Sequence, residues 1–269
     1  TIDKTHLIDT CGTGGDATNT FNISTASAFV VAASGAKVAK HGNRSVSSNS
    51  GSADALEAAG VNIELNADQV VSCIENVGIG FMFAPMHHSA MKHAIGPRRE
   101  LGIRTLFNVL GPLTNPASAP NQVIGVFDKK WLNPLAETLK KLGSKNVLVV
   151  HSEDGMDEIS VSANTYISEL KNGEIKDYII SPEDFNISKY DISELAVSDV
   201  NESLIMMNSV FDNSNSAAKN IVALNAGAAI YASGISSSIK DGVIRALDLI
   251  KSGDAKNKFE MLIKYSQSL

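Results

Sequence analysis

Short apolar runs alternate with longer segments of helical period over residues 6–151, and this alternation predicts parallel strands joined by crossover helices. We expect strands at residues 6–11, 36–39, 81–84, 122–127 and 146–151. We expect helices at residues 24–33, 53–59, 67–77, 89–101 and 134–142. Glycine follows the first three of these helices within two residues, as is common where helices end.

The pattern changes beyond residue 165. Residues 166–170 and 174–180 flank Asn172-Gly173, the dipeptide that most strongly favours a tight hairpin. Residues 217–232, 238–250 and 255–266 are predicted to form three helices. The expected fold class is therefore α/β: a largely parallel sheet flanked by helices, with an antiparallel hairpin at one edge.

Composition places the chain among globular proteins, because 43% of its 269 residues are hydrophobic and 19% are charged. The longest weakly apolar stretch, residues 221–235, contains Asn225 and is too polar to cross a bilayer. Two cysteines, Cys11 and Cys73, exclude a disulfide framework. So few cysteines favour a reducing compartment, and we expect a cytoplasmic location.

Charge is distributed unevenly along the chain. The net charge of −6 argues against a general affinity for nucleic acid or anionic lipid. Residues 17–53 contain no acid, are rich in Ser, Thr, Asn and Gly, and carry several basic side chains, which suits an anionic ligand. Residues 152–212 contain fourteen acids and three lysines. Those acids either hold a divalent metal ion or face water.

A glycine-rich segment, CGTGGD at residues 11–16, follows the first predicted strand. Successive backbone N–H groups in such a loop form a concavity that binds anions. The segment also matches the dinucleotide-binding spacing, but no acid that could bind a ribose occurs before Asp54. A tight turn between strand and helix remains the alternative interpretation.

Two further polar segments lie where an open sheet binds ligands. NIST at residues 22–25 precedes the first helix, where it caps the helix, presents free N–H groups to an anion, or does both. KHGNRSVSS at residues 40–48 follows the second strand. A lysine supplies positive charge there, and hydroxyls and amides orient phosphate or ribose oxygens.

These segments resemble motifs of the anthranilate phosphoribosyltransferase family. The resemblance also rests on FAPMHH (83–88), RRELGIRT (98–105), NVLGPLTNP (108–116) and Asp157-Glu158, and it runs from Leu7 to the end of the chain. It implies transfer of the phosphoribosyl group of 5-phosphoribosyl 1-pyrophosphate (PRPP) to the amine of anthranilate, in tryptophan biosynthesis. It implies an α/β catalytic domain over residues 1–269, with most of the family's N-terminal helical domain absent. Because that helical domain usually carries the homodimer interface, a homodimer is expected for the family and left open for this chain.

The resemblance also implies a set of site residues. The PRPP site would comprise Gly12, Gly15, Asp16, Thr20, Asn22, Ile23, Ser24, Thr25, Lys40, His41, Gly42, Asn43, Arg44, Ser45, Val46, Ser47, Ser48 and Ser52. Anthranilate would contact Gly12, Asn43 and Arg98, whose guanidinium suits a carboxylate. Two Mg²⁺ ions would be held by Ser24, Asp157 and Glu158. The catalytic residues would be Lys40, His41 and Arg98.

Several interpretations stay open at this point. His41 either accepts the proton of the amine or is structural. His87, His88 and His93 are expected to line or cap the acceptor pocket, because their spacing does not converge on a zinc ion. Neighbouring residues on a strand point to opposite faces, so Asp157 and Glu158 need a bend to share a metal site.

Three other functions compete with the transferase. A pyrimidine nucleoside phosphorylase has the same fold and uses inorganic phosphate as its nucleophile. A non-catalytic nucleotide-binding or nucleic-acid-binding relative is a second alternative, although the chain shows no platform of aromatic side chains for stacking bases. An inactive fragment of a larger polypeptide is the third.

Overall fold

A computed structural model describes residues 2–16, 18–45, 50–88 and 106–269. Within these ranges the strands form one sheet, and the helix predicted at 89–101 lies outside them. The strands are β1 (Leu7–Gly12), β2 (Lys37–Gly42), β3 (Ile79–Phe83), β4 (Asn121–Gly125), β5 (Asn146–Ser152), β6 (Thr165–Lys171) and β7 (Glu174–Ile180).

The spatial order of the sheet is β3-β2-β1-β4-β5-β6-β7. Neighbours from β3 to β5 are parallel, and β6 and β7 add an antiparallel hairpin at one edge. The predicted fold class is therefore confirmed. The chain passes from β1 to β2 and β3 on one side, then returns to β4 on the other side. In such sheets, ligands bind in the crevice at the carboxyl ends of the two strands where the order reverses, here β1 and β4.

Helices cover the sheet and connect its strands. They are α1 (Ile23–Ala33), α2 (Ser52–Ala58), α3 (Ala67–Val77), α4 (Ala84–His87), α5 (Leu106–Leu110), α6 (Leu132–Lys141), α7 (Val200–Phe211), α8 (Ser216–Ala232), α9 (Ile239–Lys251) and α10 (Asp254–Gln267). None of the helices within the described ranges combines the length and apolarity that a bilayer-spanning helix requires.

Two of the differences from the sequence-based expectation have a clear physical reason. The strand predicted at residues 81–84 begins earlier, at Ile79, and ends at Phe83, because Ala84 starts α4 with a proline in its first turn. Helix α7 was not predicted. Its periodicity is obscured because Ser203 is fully buried while Ile205 is 68% exposed, the reverse of the usual pattern.

The core lies on both faces of the sheet. The larger cluster joins α1, α7 and α10 through Phe29, whose ring packs edge-on against Phe211 and Phe259. The smaller cluster lies under α6 and includes Leu135 and Leu139. Because both faces are covered, the strand ends remain the natural place for an open site.

Candidate active site

The glycine-rich loop is fixed in place by the end of the neighbouring strand. The Thr13 amide donates to the Gly125 carbonyl at 2.9 Å, and the Thr13 hydroxyl accepts a hydrogen bond from the Phe127 amide at 3.1 Å. Gly14 and Gly15 then adopt φ angles of 65° and 75°, a left-handed backbone that favours glycine. The loop between β1 and α1 is thus a shaped turn at the reversal of the sheet order.

Asp157 lies directly across this crevice. Its Oδ2 accepts a hydrogen bond of 2.6 Å from the Gly14 amide. Gly12 and Gly125 face each other in register, and both make room for Asp157. A Cβ atom on Gly125 would lie 1.5 Å from the Asp157 carbonyl oxygen, and one on Gly12 would lie 2.5 Å from Oδ2. Sequence reasoning missed Gly125, although a glycine at the end of the strand beside the loop was a visible signal.

Glu158 points to a different partner. Its Oε1 accepts a hydrogen bond of 3.1 Å from the Ser24 amide in the first turn of α1, where helix N–H groups lack internal partners. Asp157 and Glu158 belong to the connection between β5 and β6, not to a strand, and Gly155 in that connection has a φ of 94°. The bend that allows both carboxylates to face the site is therefore present.

The two carboxylates form an acidic pair without a direct counterion. Burial, and then the charge of Asp16, raise the pKa of Asp157 to about 7. Burial and the neighbouring Asp157 also raise the pKa of Glu158. Within the described ranges no basic side chain forms an ion pair with either one. A bound cation would favour the ionised form of both carboxyl groups and so lower their pKa values.

The donor set suits Mg²⁺, which prefers oxygen ligands and usually takes one or two carboxylates together with phosphate oxygens and water. The Ser24 hydroxyl, Asp157 and Glu158 supply such oxygens. In the part of the chain that the structure describes, no three Asp, Glu, His or Cys side chains gather around one point. The protein would therefore share the ion with a phosphate ligand and would not enclose it in a cage.

Lys40 is a buried cation beside these acids, with only 2% of its surface exposed. Its Nζ donates to the Thr10 carbonyl at 2.5 Å and to the Ser24 hydroxyl at 3.3 Å. Burial lowers the pKa of Lys40, whereas the nearby charges of Asp9, Cys11 and Glu158 act to raise it. The ammonium group thus lies next to the first turn of α1, where an anion would be attracted.

His41 and His88 meet at the end of β2. Their Nε2 atoms are 3.2 Å apart, and the rings are nearly edge to face. Burial, followed by the charges of His88 and His87, lowers the pKa of His41 to about 4. The imidazole is therefore neutral at physiological pH and can accept a proton. His93 lies outside the described residues.

Asn22, which the resemblance assigned to the PRPP site, is engaged as a structural link. Its side-chain oxygen accepts hydrogen bonds from the Ser50 hydroxyl at 2.8 Å and from the Ser203 hydroxyl at 2.7 Å. Its side-chain nitrogen donates to the Ser50 carbonyl at 3.1 Å. These bonds join the start of α1, helix α7 and the loop that follows β2.

Arg44 is also held by the protein itself. Its guanidinium bonds to both Glu57 oxygens at 2.6 and 2.9 Å and to Asp54 at 3.1 Å. Asp54 additionally accepts hydrogen bonds from the Ser45 and Gly51 amides, which closes the loop on itself. The side chain of Arg44 thus braces the loop.

The remaining predicted residues lie near the site in different settings. The Asp16 carboxylate accepts a hydrogen bond from the Thr18 hydroxyl, Thr20 pairs with Ala196, and Ile23 belongs to the core. Among the described residues, the buried Thr25 hydroxyl has no hydrogen-bond partner. The Ser52 hydroxyl donates to the Asn43 carbonyl at 3.3 Å beside Gly42. Val46, Ser47, Ser48 and Arg98 lie outside the described residues.

Comparison with known proteins identifies the group of relatives. Residues 4–256 match the model of a glycosyl transferase family, a/b domain. The anthranilate phosphoribosyltransferase of Thioalkalivibrio sulfidiphilus is 59% identical over 99% of this chain and 79% of its own length. That of Alkalilimnicola ehrlichii is 56% identical over the whole chain and 80% of its own length.

Solved structures agree in fold. The anthranilate phosphoribosyltransferase of Thermus thermophilus superposes with a TM-score of 0.92 at 40% identity, covering 99% of this chain and 79% of that one. The enzyme of Saccharomyces cerevisiae, in complex with PRPP and Mg, gives a TM-score of 0.88 at 29% identity, covering 98% and 74%. The same yeast enzyme in complex with 4-fluoroanthranilate gives 0.87 at 27% identity over the same shares.

Proposed function

The chain belongs to the anthranilate phosphoribosyltransferase family, and from this premise we propose that it transfers the phosphoribosyl group of PRPP to the amine of anthranilate. The products are N-(5-phosphoribosyl)anthranilate and pyrophosphate, in the synthesis of tryptophan. One observation supports the site assignment above the others. The glycine loop presents an amide to the buried carboxylate of Asp157, and the first turn of α1 presents one to the half-buried carboxylate of Glu158.

The donor half of the reaction separates charge. Breaking the bond between C1 and the diphosphate leaves positive charge on the ribose and negative charge on the leaving group. In the Gly12–Asp16 loop and the first turn of α1, the Gly14 and Ser24 amides already donate to Asp157 and Glu158, so the diphosphate would be held by the other amides of these two segments. Lys40 adds a fixed positive charge beside them. No covalent nucleophile is needed, because the residues act by holding the leaving group.

Ser24, Asp157 and Glu158 would hold Mg²⁺, which when bound offsets the charge of the diphosphate. We propose two ions, because Asp157 faces the glycine loop and Glu158 faces α1, so each carboxylate addresses a separate position. A calorimetric titration of Mg²⁺ into the protein with PRPP should give a stoichiometry near two. A stoichiometry of one would contradict the second ion.

For the acceptor half, we assign the carboxylate of anthranilate to Arg98 and the approach of its amine to Asn43, on the family resemblance. His41 then takes the proton that leaves the amine. Its neutral imidazole supports this role because the ring is unprotonated at physiological pH, with Nε2 at 3.2 Å from Nε2 of His88. Burial keeps the pKa of His41 low, and a weak base is sufficient because the nitrogen of an aromatic amine is itself weakly basic.

The experiment follows the fluorescence of anthranilate, which is lost when its amine is ribosylated. We expect a decrease only when protein, PRPP and Mg²⁺ are all present, and no decrease with EDTA. Release of free base from thymidine or uridine by inorganic phosphate should be absent. Turnover of those nucleosides, or no loss of fluorescence in the complete mixture, would contradict the proposed function.

We further propose that the protein works in the cytoplasm. Both cysteines are free thiols, as expected in a reducing compartment. The family resemblance implies a homodimer for the family and leaves the oligomeric state of this chain open. Light scattering of the purified chain separates the two states, because a monomer gives 28.4 kDa and a dimer gives twice that mass.

A further inference from the structure

Strands β1 and β2 separate in the middle of the sheet. Their pairing comprises only Leu7 with Lys37 and Ile8 with Val38. Beyond that point β1 stays paired with β4 as far as Gly12, and β2 stays paired with β3 as far as Gly42. The carboxyl ends of two central, parallel strands are thus held apart where the active site lies.

Side chains replace the backbone pairing in this gap. Asp9 is completely buried, and its Oδ1 accepts a hydrogen bond of 3.1 Å from the His41 amide. Its Oδ2 accepts a bond of 2.7 Å from the Asn115 side chain, whose nitrogen also donates to the Ala39 carbonyl at 2.9 Å. The His41 amide and the Ala39 carbonyl of β2 thus bond to the side chains of Asp9 and Asn115 where a ladder would pair them with the backbone of β1.

The same gap admits the ammonium group of Lys40. Its Nζ reaches the Thr10 carbonyl of β1, which a continuous ladder would pair with backbone instead. Lys40 and His41 are consecutive, so the position of both depends on how far β2 stands from β1. An ordinary ladder would need no buried carboxylate here, and burying one is costly unless it is fully hydrogen-bonded.

We propose that Asp9 and Asn115 are positioning residues that form a buried polar wedge, holding the ends of β1 and β2 apart and setting Lys40 and His41 against the glycine loop. Neither wedge residue contacts a reacting group. The wedge rests on the proposed function, because positioning is defined by the reaction that Lys40 and His41 serve. Its test therefore needs one readout that depends on turnover and one that does not.

The chain offers a matched control for Asn115. Asn121 is also a buried asparagine, and its side chain donates to the Leu7 carbonyl of β1 at 2.9 Å. It lies at the amino end of the same strands, away from the site. Asn115→Ala and Asn121→Ala thus each remove one buried amide that bridges to the central part of the sheet.

We expect both variants to lower the melting temperature, but only Asn115→Ala to disturb the site. Its kcat/KM for PRPP should fall by about tenfold or more, because small displacements of positioned groups have large effects on rate. Asn121→Ala should stay within about twofold of wild type. Hydrogen exchange at the His41 amide, followed by NMR, should accelerate by about tenfold in Asn115→Ala and remain unchanged in Asn121→Ala.

A reciprocal exchange sharpens the test. Asp9→Asn alone sets an amide donor against another donor, and Asn115→Asp alone sets two carboxylates side by side. In the double variant the introduced amide donates to the introduced carboxylate and still accepts from the His41 amide, while the Ala39 carbonyl loses its partner. We expect the double variant to be at least about fivefold more active than either single variant, and less active than wild type.

The outcomes separate the two proposals. If wild type does not consume anthranilate, the proposed function fails, and exchange at the His41 amide alone then decides whether the wedge holds β2. If wild type is active, equal activity losses in Asn115→Ala and Asn121→Ala at equal loss of melting temperature would overturn the wedge. A double variant no better than the single ones would overturn it as well.

Discussion

The two ends of the central strands carry different kinds of buried side chain. At the amino end, neutral amides bridge the strands: Asn146 donates to Asn121, which donates to Leu7. At the carboxyl end the buried side chains are charged or titratable, including Asp9 and Lys40. The amino end stabilises the sheet at little electrostatic cost. The carboxyl end retains buried charged groups, which are the usual sign of a functional site.

Of the substitutions at the carboxyl end, removal of the acidic pair Asp157 and Glu158 should lower turnover most. In Asp157→Asn with Glu158→Gln, the amides of Gly14 and Ser24 keep acceptors, while the charge that attracts a cation is lost. We expect steady-state turnover to fall on the order of 10²- to 10³-fold and its dependence on Mg²⁺ to weaken. Unchanged dependence on Mg²⁺ would show that the metal binds elsewhere.

For the same variant we also predict how the free energy of unfolding depends on pH when EDTA removes metal ions. The folded protein retains a proton on Asp157 up to about pH 7, whereas the unfolded chain releases it at its ordinary pKa of 3.8. Folded protein thus binds more protons in this window, and its free energy of unfolding falls as pH rises from about 4 to about 7. Denaturant titrations should show a shallower fall in the variant. An identical slope in both proteins would contradict a raised pKa.

Gly125→Ala should have the next largest effect. A Cβ atom there would overlap the Asp157 carbonyl oxygen, so the connection carrying both carboxylates must move. We expect the free energy of unfolding to drop by about 3 kcal/mol and turnover to fall with it. Gly111→Ala is the control, because a Cβ atom at Gly111 would meet no atom of the described residues within 4 Å. Equal losses in the two variants would argue against the close approach.

His41→Asn should act on turnover more than on stability. We expect kcat to fall by about tenfold, since a neutral proton acceptor is lost. His6→Asn is the matched control at the amino end of β1, where the ring bonds to the Ser233 carbonyl at 2.7 Å. Because the pKa of His41 is about 4, wild-type activity should show no loss from this group between about pH 6 and 7. Full turnover in His41→Asn would leave the ring a structural role.

Arg44→Ala should have the smallest effect. Its guanidinium is one-third exposed and already paired with Glu57 and Asp54, so removing it should cost less than about 1 kcal/mol of stability. We expect the KM for PRPP to rise less than about fivefold, through loosening of the loop. A rise of about a hundredfold would place the side chain on the substrate.

The order of strands and helices could be predicted because their periodicity is local. The hairpin at Asn172-Gly173 and the parallel core are confirmed on that basis. Helix α7 was missed because Ser203 is buried to bond with Asn22, a tertiary requirement that no local pattern records.

The site was predicted only in part. Glycine clustering indicated the loop, and the family resemblance indicated Asp157 and Glu158. The role of Gly125 depends on Asp157, a residue far along the chain, coming within contact distance, and the pairing of Arg44 with Glu57 depends on a loop closing on α2. Such contacts follow from the packing of the whole chain.

The most direct test is a crystal structure of the protein with PRPP and Mg²⁺. We predict diphosphate oxygens within hydrogen-bonding distance of amides between Gly12 and Asp16 and of the first turn of α1, with a metal ion on Glu158 or Asp157. A diphosphate bound elsewhere, with the glycine loop still occupied only by Asp157, would contradict the central claim.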